Sequence, residues 1–204
     1  MDLFADQNTT LDAIPIEDGE LYFMPRLPLA QDPDTVMRRL VDETPWRAES
    51  ITLYGKSMLQ PRLSAWHGDP EARYTYSGTT FEPQPWTPLQ LEIKHAVEAA
   101  TGRRFNSVLL NYYRNEQDSM GFHSDDEREL GRDPAIASVS FGAARTFILK
   151  HKTLPKTVKI ALGDGSLLLM AGALQHHWRH GINKEKTPRG ARISLTLRNI
   201  LSLT

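Results

Sequence analysis

Cysteine is absent from the 204-residue sequence. Its absence excludes disulfides, thiolate zinc sites, iron–sulfur clusters and cysteine nucleophiles, so any metal must rely on histidine and carboxylate ligands. Also lacking is an apolar run of the roughly 20 residues that a membrane-spanning helix needs. The first ten residues, MDLFADQNTT, are acidic and polar, whereas a signal peptide begins basic and then turns apolar. We therefore expect a cytoplasmic protein with no membrane partner.

A large positive charge is missing too, since the formal net charge is -1. A protein that coats nucleic acid through bulk electrostatics is therefore not expected. The charge is unevenly distributed, however. Residues 1–140 hold 13 Lys and Arg against 23 Asp and Glu, whereas residues 141–204 hold 11 against 2. A solvated basic sheet face and a local surface for an anionic ligand both fit this distribution.

The overall composition is that of an ordinary globular protein, with 40% hydrophobic and 24% charged residues. Because 204 residues suffice for one domain with a sizeable core, we expect a single domain over residues 1–204. Residues 1–20 lack apolar periodicity and are rich in Asp, Glu and Thr. They are predicted to form a flexible tail or an extended lead-in.

Two helices are predicted in the first half of the chain. Apolar residues recur at helical spacing from Asp34, with Asp32 or Asp34 as N-cap and Pro45 as a stop. A second periodic segment follows Pro88 and ends at Gly102, where a glycine can adopt a left-handed conformation. Between the helices, residues 51–87 are rich in proline and aromatic residues, which predicts hairpins and long surface loops.

Short strands punctuated by glycine are predicted after residue 104. They are Phe105–Tyr113, Ile136–Phe141, Thr146–Leu149, Thr157–Leu162, Ser166–Met170 and Ala191–Leu197. Many short strands at near-regular spacing favour a β-sandwich or jelly roll over a βαβ fold. Together with the helices, they predict a mixed α/β (α+β) protein with a jelly-roll core and N-terminal helices packed on it.

Two histidine-containing segments can supply metal ligands. In His123-Ser124-Asp125 the period of two puts imidazole and carboxylate on one side of an extended segment. Three further histidines lie in the segment His176–His180. Nearby glycines make a helix improbable there, so a strand or loop contributing one histidine is favoured. Two histidines and one aspartate form the facial triad that suits Fe(II), with zinc as the second choice.

An alternating segment near residue 195 supplies two arginines. Arg192, Ser194, Thr196 and Arg198 share one face of the predicted strand, opposite three apolar residues. The two arginine Cα atoms would lie roughly 20 Å apart. Because a guanidinium binds carboxylates in bidentate fashion, side chains that curl together could clamp a short dicarboxylate. Two exposed strand arginines are the simpler alternative.

Several motifs together resemble the AlkB-type Fe(II)/2-oxoglutarate dioxygenases, which oxidatively demethylate alkylated nucleic-acid bases. The resemblance runs from about residue 50 onward and is closest to the animal DNA- and RNA-repair branches. The motifs that carry it are Asn111–Arg114, His123–Glu127, Ser138–Gly142, Trp178–His180 and Arg192–Arg198.

The resemblance implies a role for each matched residue. It implies His123, Asp125 and His180 as iron ligands, and Asn111, Tyr113, Arg192 and Arg198 as 2-oxoglutarate ligands, with O2 as second co-substrate. It further implies base or nucleotide contacts at Arg62, Tyr74, Tyr76, Ser77, Asp126 and Glu127, and a duplex wedge at Tyr54. The basic balance of residues 141–204 predicts phosphate contacts at Lys150 and Lys152. Residues 51–87 then become nucleotide-recognition hairpins that form a lid, and residues 105–200 the catalytic core.

The implied function is demethylation of N1-methyladenine or N3-methylcytosine in DNA or RNA by a monomer, in the bacterial nucleoid or the nucleus of a eukaryote. Two alternatives stay open at this point. A 2-oxoglutarate oxygenase of the same fold could act on protein or a small molecule, because the metal triad and arginine pair do not define the target. A jelly roll that binds nucleic acid without catalysis is the other.

Overall fold

A computed structural model of the chain describes residues 9–53, 56–76 and 79–201. The elements in chain order are β1 (Asp12–Ala13), β2 (Glu20–Met24), α1 (Pro33–Glu43), β3 (Ser50–Leu53), β4 (Lys56–Leu59), β5 (Leu63–Gly68), β6 (Tyr74–Tyr76), β7 (Thr79–Phe81), α2 (Pro88–Thr101), β8 (Ser107–Tyr113), β9 (Met120–His123), β10 (Ile136–Gly142), β11 (Arg145–His151), β12 (Thr157–Leu162), β13 (Leu167–Ala171), α3 (Leu174–His177), β14 (Trp178–Ile182) and β15 (Arg192–Arg198).

Two antiparallel sheets form the framework. The major sheet has the strand order β1-β2-β13-β10-β15-β8-β5, and the minor sheet has the order β12-β11-β14-β9. Two separate hairpins, β3–β4 and β6–β7, lie within the segment 51–87 where hairpins are predicted. The predicted mixed α/β class with a jelly-roll core is confirmed.

The major sheet is buried on both faces because its central strands alternate between two apolar clusters. Leu167 and Leu169 of β13 pack in the same cluster as residues of α1 and α2, whereas Leu168 and Met170 pack in the cluster that contains Phe147 of the minor sheet. Side chains two apart along a strand point to the same face. The helices therefore cover one face of the major sheet, and the minor sheet covers the other.

Both helices begin and end where their capping residues predict. Asp32 caps α1 by accepting a hydrogen bond from the Thr35 N–H at 2.9 Å. Thr87 and Gln90 form a reciprocal capping box at the start of α2, and Gly102 ends it with a φ of 66°. In the ranges that the structure describes, no helix is long and apolar enough to cross a membrane.

The structure differs from the sequence predictions in two places. The major sheet includes β1, β2 and β5, which all precede residue 105, so the sandwich is not confined to 105–200. Leu63–Gly68 joins the sheet because it pairs along its full length with β8.

The second difference concerns the histidine segment. The sequence disfavours a helix over His176–His180, but a single helical turn, α3, contains His176 and His177. The strand predicted to carry one histidine is present as β14, with His180 on it.

A buried carboxylate connects the end of α2 to the start of β8. Glu98 accepts hydrogen bonds from the Phe105 N–H at 2.9 Å and from Arg104 at 3.1 Å, and the Lys94 ammonium lies 3.3 Å away. Burial by itself would raise the pKa of this carboxyl, but the Phe105 N–H and Lys94 hold the pKa below its ordinary value of 4.5. The ionised form of Glu98 therefore stabilises the fold.

We expect Glu98→Gln to lower the free energy of unfolding by about 1–3 kcal/mol at neutral pH, because it removes a charged acceptor from a buried N–H. A carboxyl whose pKa is lowered by folding stabilises the protein above its unfolded pKa, and this contribution is lost as the pH falls through the folded pKa. The difference between wild type and variant should therefore shrink below about pH 4 in urea titrations. Glu49→Gln, at an exposed position, is the control, and a pH-independent difference for Glu98→Gln would contradict the prediction.

Candidate active site

Two neighbouring strands of the minor sheet bring together the three residues predicted to bind metal. His123 ends β9, and His180 lies directly opposite it on β14. Asp125 follows β9 by two residues. Gly181 lets the two strands approach closely, because a Cβ atom at this position would lie 2.9 Å from the Met120 carbonyl oxygen.

The three side chains point at one another. The Nε2 atom of His123 lies 3.7 Å from Oδ1 of Asp125, and the Nε2 atom of His180 lies 3.6 Å from Oδ2 of the same carboxylate. The three ligand atoms all lie within 4.8 Å of one another. Asp125 and His180 are buried, whereas His123 is partly exposed. This separation allows one ion to contact all three side chains.

The protonation states also suit a divalent cation. Burial lowers the pKa of His180 to about 4, so its imidazole is neutral at neutral pH. Burial alone would raise the pKa of Asp125, but the guanidinium of Arg198 holds it below its ordinary value. Arg198 donates to Oδ1 of Asp125 at 2.7 Å, while the buried Oδ2 has no hydrogen-bond partner among the described residues. Two imidazoles and a carboxylate with a free oxygen fit Fe(II).

A buried guanidinium lies in the same cavity. Arg192 is 1% exposed and stands over the ring of Tyr113, with its Cζ atom 5.0 Å from the ring centroid. Its Nη2 atom donates to the Ser140 hydroxyl at 2.9 Å, but Nε and Nη1 have no partner among the described residues. Burial lowers the pKa of this guanidinium, although an arginine side chain stays protonated in proteins. A buried cation with two free N–H groups requires an anion.

The cavity lining joins the triad to the arginine face of β15. It consists of Asn111, Tyr113, Met120, His123, Asp125, Ser138, Phe147, Met170, His180, Gly181, Ile182, Arg192, Ser194, Thr196 and Arg198. All three predicted metal ligands and all four predicted 2-oxoglutarate ligands are among them. The polar face of the predicted strand, from Arg192 to Arg198, lines this cavity as the alternation indicates.

Arg62 is partly buried and contacts Asn111, one of the residues that line this cavity. Its Nε atom donates to Oδ1 of Asn111 at 2.8 Å, and its Nη1 atom donates to the Ser119 carbonyl at 3.3 Å. Burial lowers the pKa of the Arg62 guanidinium. These contacts make Arg62 a residue that orients Asn111.

The acidic pair that follows Asp125 divides into one exposed and one buried carboxyl. Asp126 is exposed and pairs with the Lys152 ammonium at 3.6 Å. Glu127 has a buried Oε2 atom without a partner in the described structure, and burial raises the pKa of its carboxyl. Lys152 also donates to the Gln175 carbonyl at 2.9 Å, and Lys150 lies over the Phe122 ring. The Lys152 side chain stays 30% exposed despite these contacts.

The predicted aromatic contacts fall largely outside the described residues. The backbone of Tyr74 and Tyr76 forms β6, but their side chains, like Ser77 and Tyr54, lie outside what the structure describes. Sequence reasoning missed Met120, Phe147, Met170 and the amide of Gln175, which all surround the triad. Nothing in their sequence spacing could have distinguished them from ordinary core residues.

A second group of possible ligands consists of Asp18, His151 and His177, and His177 immediately precedes β14. Nδ1 of His151 accepts hydrogen bonds from the backbone N–H groups of Leu154 at 2.9 Å and Thr153 at 3.2 Å. The ring proton therefore resides on Nε2, which donates to Asp18 at 3.1 Å. A metal at this nitrogen would have to displace that proton from an imidazole that carries no other, so the geometry disfavours a metal here.

Comparison with known proteins agrees with this geometry. Residues 20–198 match the 2OG-Fe(II) oxygenase superfamily, and the chain belongs to this superfamily. Membership implies Fe(II), 2-oxoglutarate and O2, the cofactor and co-substrates predicted from the sequence. The solved structure of OsALKBH1 has a similar fold, with a TM-score of 0.64 at 16% identity over 92% of this chain and 99% of that one.

Individual relatives place the chain in the AlkB-type branch, as the sequence motifs indicate. It is 43% identical over 180 residues to the human alpha-ketoglutarate-dependent dioxygenase alkB homolog 3, and this alignment covers 83% of this chain and 62% of the human protein. It is 40% identical over 162 residues to the bovine DNA oxidative demethylase ALKBH2, which covers 76% and 58% respectively. The chain thus spans less than two thirds of the length of either relative.

We expect Arg192→Met to raise the melting temperature of the ligand-free protein while abolishing its response to 2-oxoglutarate. Replacing a buried, poorly paired charge with an apolar side chain of similar length stabilises by about 1 kcal/mol or more, which corresponds to ~2–4 °C per kcal/mol for a chain of this size. The anion-binding N–H groups are lost at the same time. Thermal unfolding with Mn(II), with and without 2-oxoglutarate, measures both effects.

Exposed Arg47→Met is the matched control, and it should melt like the wild type and retain the full shift with 2-oxoglutarate. A lower melting temperature for ligand-free Arg192→Met would show that the guanidinium is fully paired within the fold. An unchanged response to 2-oxoglutarate would place the anion site elsewhere.

Proposed function

We propose that the protein is an Fe(II)/2-oxoglutarate-dependent demethylase of alkylated bases, of the N1-methyladenine and N3-methylcytosine type, in DNA or RNA. The observation that carries this proposal is a single cavity that holds the His123, Asp125 and His180 triad together with Arg192, whose Nε and Nη1 atoms have no partner among the described residues. The triad would hold iron, and Arg192 the acid co-substrate.

Each side chain of the cavity has a task in this proposal. Arg192 offers Nε and Nη1 to the distal carboxylate of 2-oxoglutarate, with Tyr113 and Asn111 as further hydrogen-bonding groups. Arg198 pairs with Asp125, and its Nε atom, which has no partner among the described residues, is available to the other carboxylate of 2-oxoglutarate. Iron held by the triad would, with 2-oxoglutarate and O2, supply the oxidant that hydroxylates the N-methyl group. The resulting hydroxymethyl group would be released as formaldehyde, and the co-substrate would become succinate and CO2.

The acidic residues beside the triad suit a cationic base. Methylation at N1 of adenine or N3 of cytosine gives the base a positive charge and lies on its Watson–Crick edge, so the base must leave the duplex to be reached. We assign the exposed Asp126, and Glu127 with an Oε2 atom that has no partner among the described residues, to this cationic base. We assign Tyr74, Tyr76 and Ser77 of the 51–87 hairpins to holding the base, and Lys150 and Lys152 to the backbone phosphates.

The relatives support nucleic acid over the other substrate classes. Bovine ALKBH2, which is 40% identical to this chain over 162 residues, is named a DNA oxidative demethylase. The cavity residues of this chain are suited to the same chemistry. We propose a monomer that acts wherever its nucleic acid lies, in the nucleoid or the nucleus. A 2-oxoglutarate oxygenase acting on protein or a small molecule would consume co-substrate without stimulation by methylated oligonucleotide.

We expect Asp125→Ala and His180→Ala to abolish the release of formaldehyde from a methylated oligonucleotide, because each removes one of three metal ligands. His176→Ala is the control, since His176 lies near His180 in sequence but contacts the Arg132 carbonyl and Asp133 outside the cavity. The control should retain most of the wild-type rate. Full activity of Asp125→Ala would remove this residue from the metal site, and loss of activity in His176→Ala alone would mean that the wrong histidine was assigned.

Tyr54 is proposed as a wedge that fills the gap left by an extruded base. It follows β3 and precedes β4, whose terminal residues Leu53 and Lys56 pair with each other. Tyr54 itself lies outside the described residues, so the proposal rests on its sequence position before Gly55. Aromatic stacking on a base is worth about 1–3 kcal/mol. Tyr54→Ala should therefore slow repair of a methylated duplex about 5- to 100-fold and leave the matching single strand unaffected. Equal loss on both substrates would exclude a wedge.

A further inference from the structure

A buried amide links the two segments that carry the triad. Gln175 of α3 is 1% exposed, and its Oε1 atom accepts a hydrogen bond from the backbone N–H of Asp125 at 2.9 Å. Its Nε2 atom lies 3.8 Å from Sδ of Met170, which is a weak acceptor. The helix α3 leads directly into β14, which carries His180.

The surroundings determine which way the amide faces. The Asp125 N–H is a donor in a buried position, so it requires an oxygen acceptor, and a flipped amide would place two donors against each other. The thioether of Met170 tolerates the NH2 group on the opposite side. Gln175 therefore holds the Asp125 peptide in one orientation.

That orientation bears on the metal site, because the carboxylate of Asp125 is attached to the peptide that Gln175 holds. Arg198 restrains Oδ1 of the same residue at 2.7 Å, and Oδ2 stays free and 3.6 Å from Nε2 of His180. A second link runs parallel to the first, as the Ser124 hydroxyl donates to the Trp178 carbonyl at 2.8 Å. Two hydrogen bonds thus connect residues 124–125 to the segment that leads to His180.

We propose that Gln175 is a positioning residue that sets the metal affinity of the triad by fixing the backbone of Asp125. It touches neither the proposed co-substrate nor the base. The inference rests on the iron site of the proposed function. It goes beyond that function because it concerns how the side chains of the triad, which come from two segments of the chain, are positioned before a metal ion binds.

The test is isothermal titration of metal-free protein with Mn(II), without 2-oxoglutarate. Gln175→Met preserves the shape of the side chain and removes the acceptor, so Mn(II) should bind about 10–100-fold more weakly than to the wild type. Gln175→Glu keeps an acceptor oxygen and adds a negative charge, so it should bind Mn(II) at least as tightly as the wild type. Where Gln175→Met does not fold, Gln175→Asn replaces it, since its oxygen is withdrawn by one methylene.

Gln90→Met is the matched control. Gln90 is equally buried, at 1% exposure, and its Oε1 atom likewise accepts a backbone N–H, that of Thr87 at 3.1 Å, but at the start of α2. It should lower the melting temperature and leave Mn(II) affinity unchanged. If Gln90→Met weakens Mn(II) binding as much as Gln175→Met does, the effect is general destabilisation and the inference is wrong.

The remaining outcomes separate the inference from the function on which it rests. If the wild type binds Mn(II), Asp125→Ala does not, and Gln175→Met binds as tightly as the wild type, only the positioning role is overturned. If the wild type does not bind Mn(II), or Asp125→Ala binds it equally well, the proposed metal site is overturned together with the inference.

Discussion

Burial of unlike charges in one cavity is the constraint on which this molecule depends. Arg192 and Asp125 are both buried, and they are compensated in different ways. Asp125 is compensated by Arg198, whereas the described part of the chain offers Arg192 a hydroxyl and an aromatic ring. In the proposed complex a dication and a dianion enter together, and the net charge of the cavity does not change. Metal without 2-oxoglutarate, or the reverse, would leave a charge imbalance in a poorly solvated space. The two ligands should therefore favour each other's binding.

The sandwich tolerates this cavity because one strand has two distinct faces. On β15 the apolar residues Ile193, Leu195 and Leu197 belong to the cluster shared with α1 and α2, while the intervening polar residues line the site. Packing on the helix side holds the backbone of β15 in register with β8 and β10. The backbone of β15 therefore holds its polar, largely buried side chains in fixed positions in the cavity, as a preorganised site requires.

Local signals predicted those parts of the structure that local chemistry determines. The helix caps at Asp32 and Gly102, the alternation of β15 and the His-x-Asp spacing could be read from the sequence because each depends on residues a few positions apart. Gln175 could not, because its acceptor role depends on Asp125, a residue 50 positions earlier. The same reason explains why the contact of Arg62 with Asn111 could not be predicted, since it spans 49 positions. The place of β5 in the major sheet likewise depends on pairing with a strand after α2.

The order of strands in the major sheet has a consequence for synthesis of the protein on the ribosome. Strand β15 lies between β10 and β8, yet among the described strands it is the last to be made. Until it emerges, β8 and β10 expose unpaired edges, which are templates for pairing with other chains. A nonsense mutation before residue 192 would therefore remove both arginines and the middle of the sheet in one event. Such a truncated product is expected to aggregate instead of surviving as a folded protein without activity.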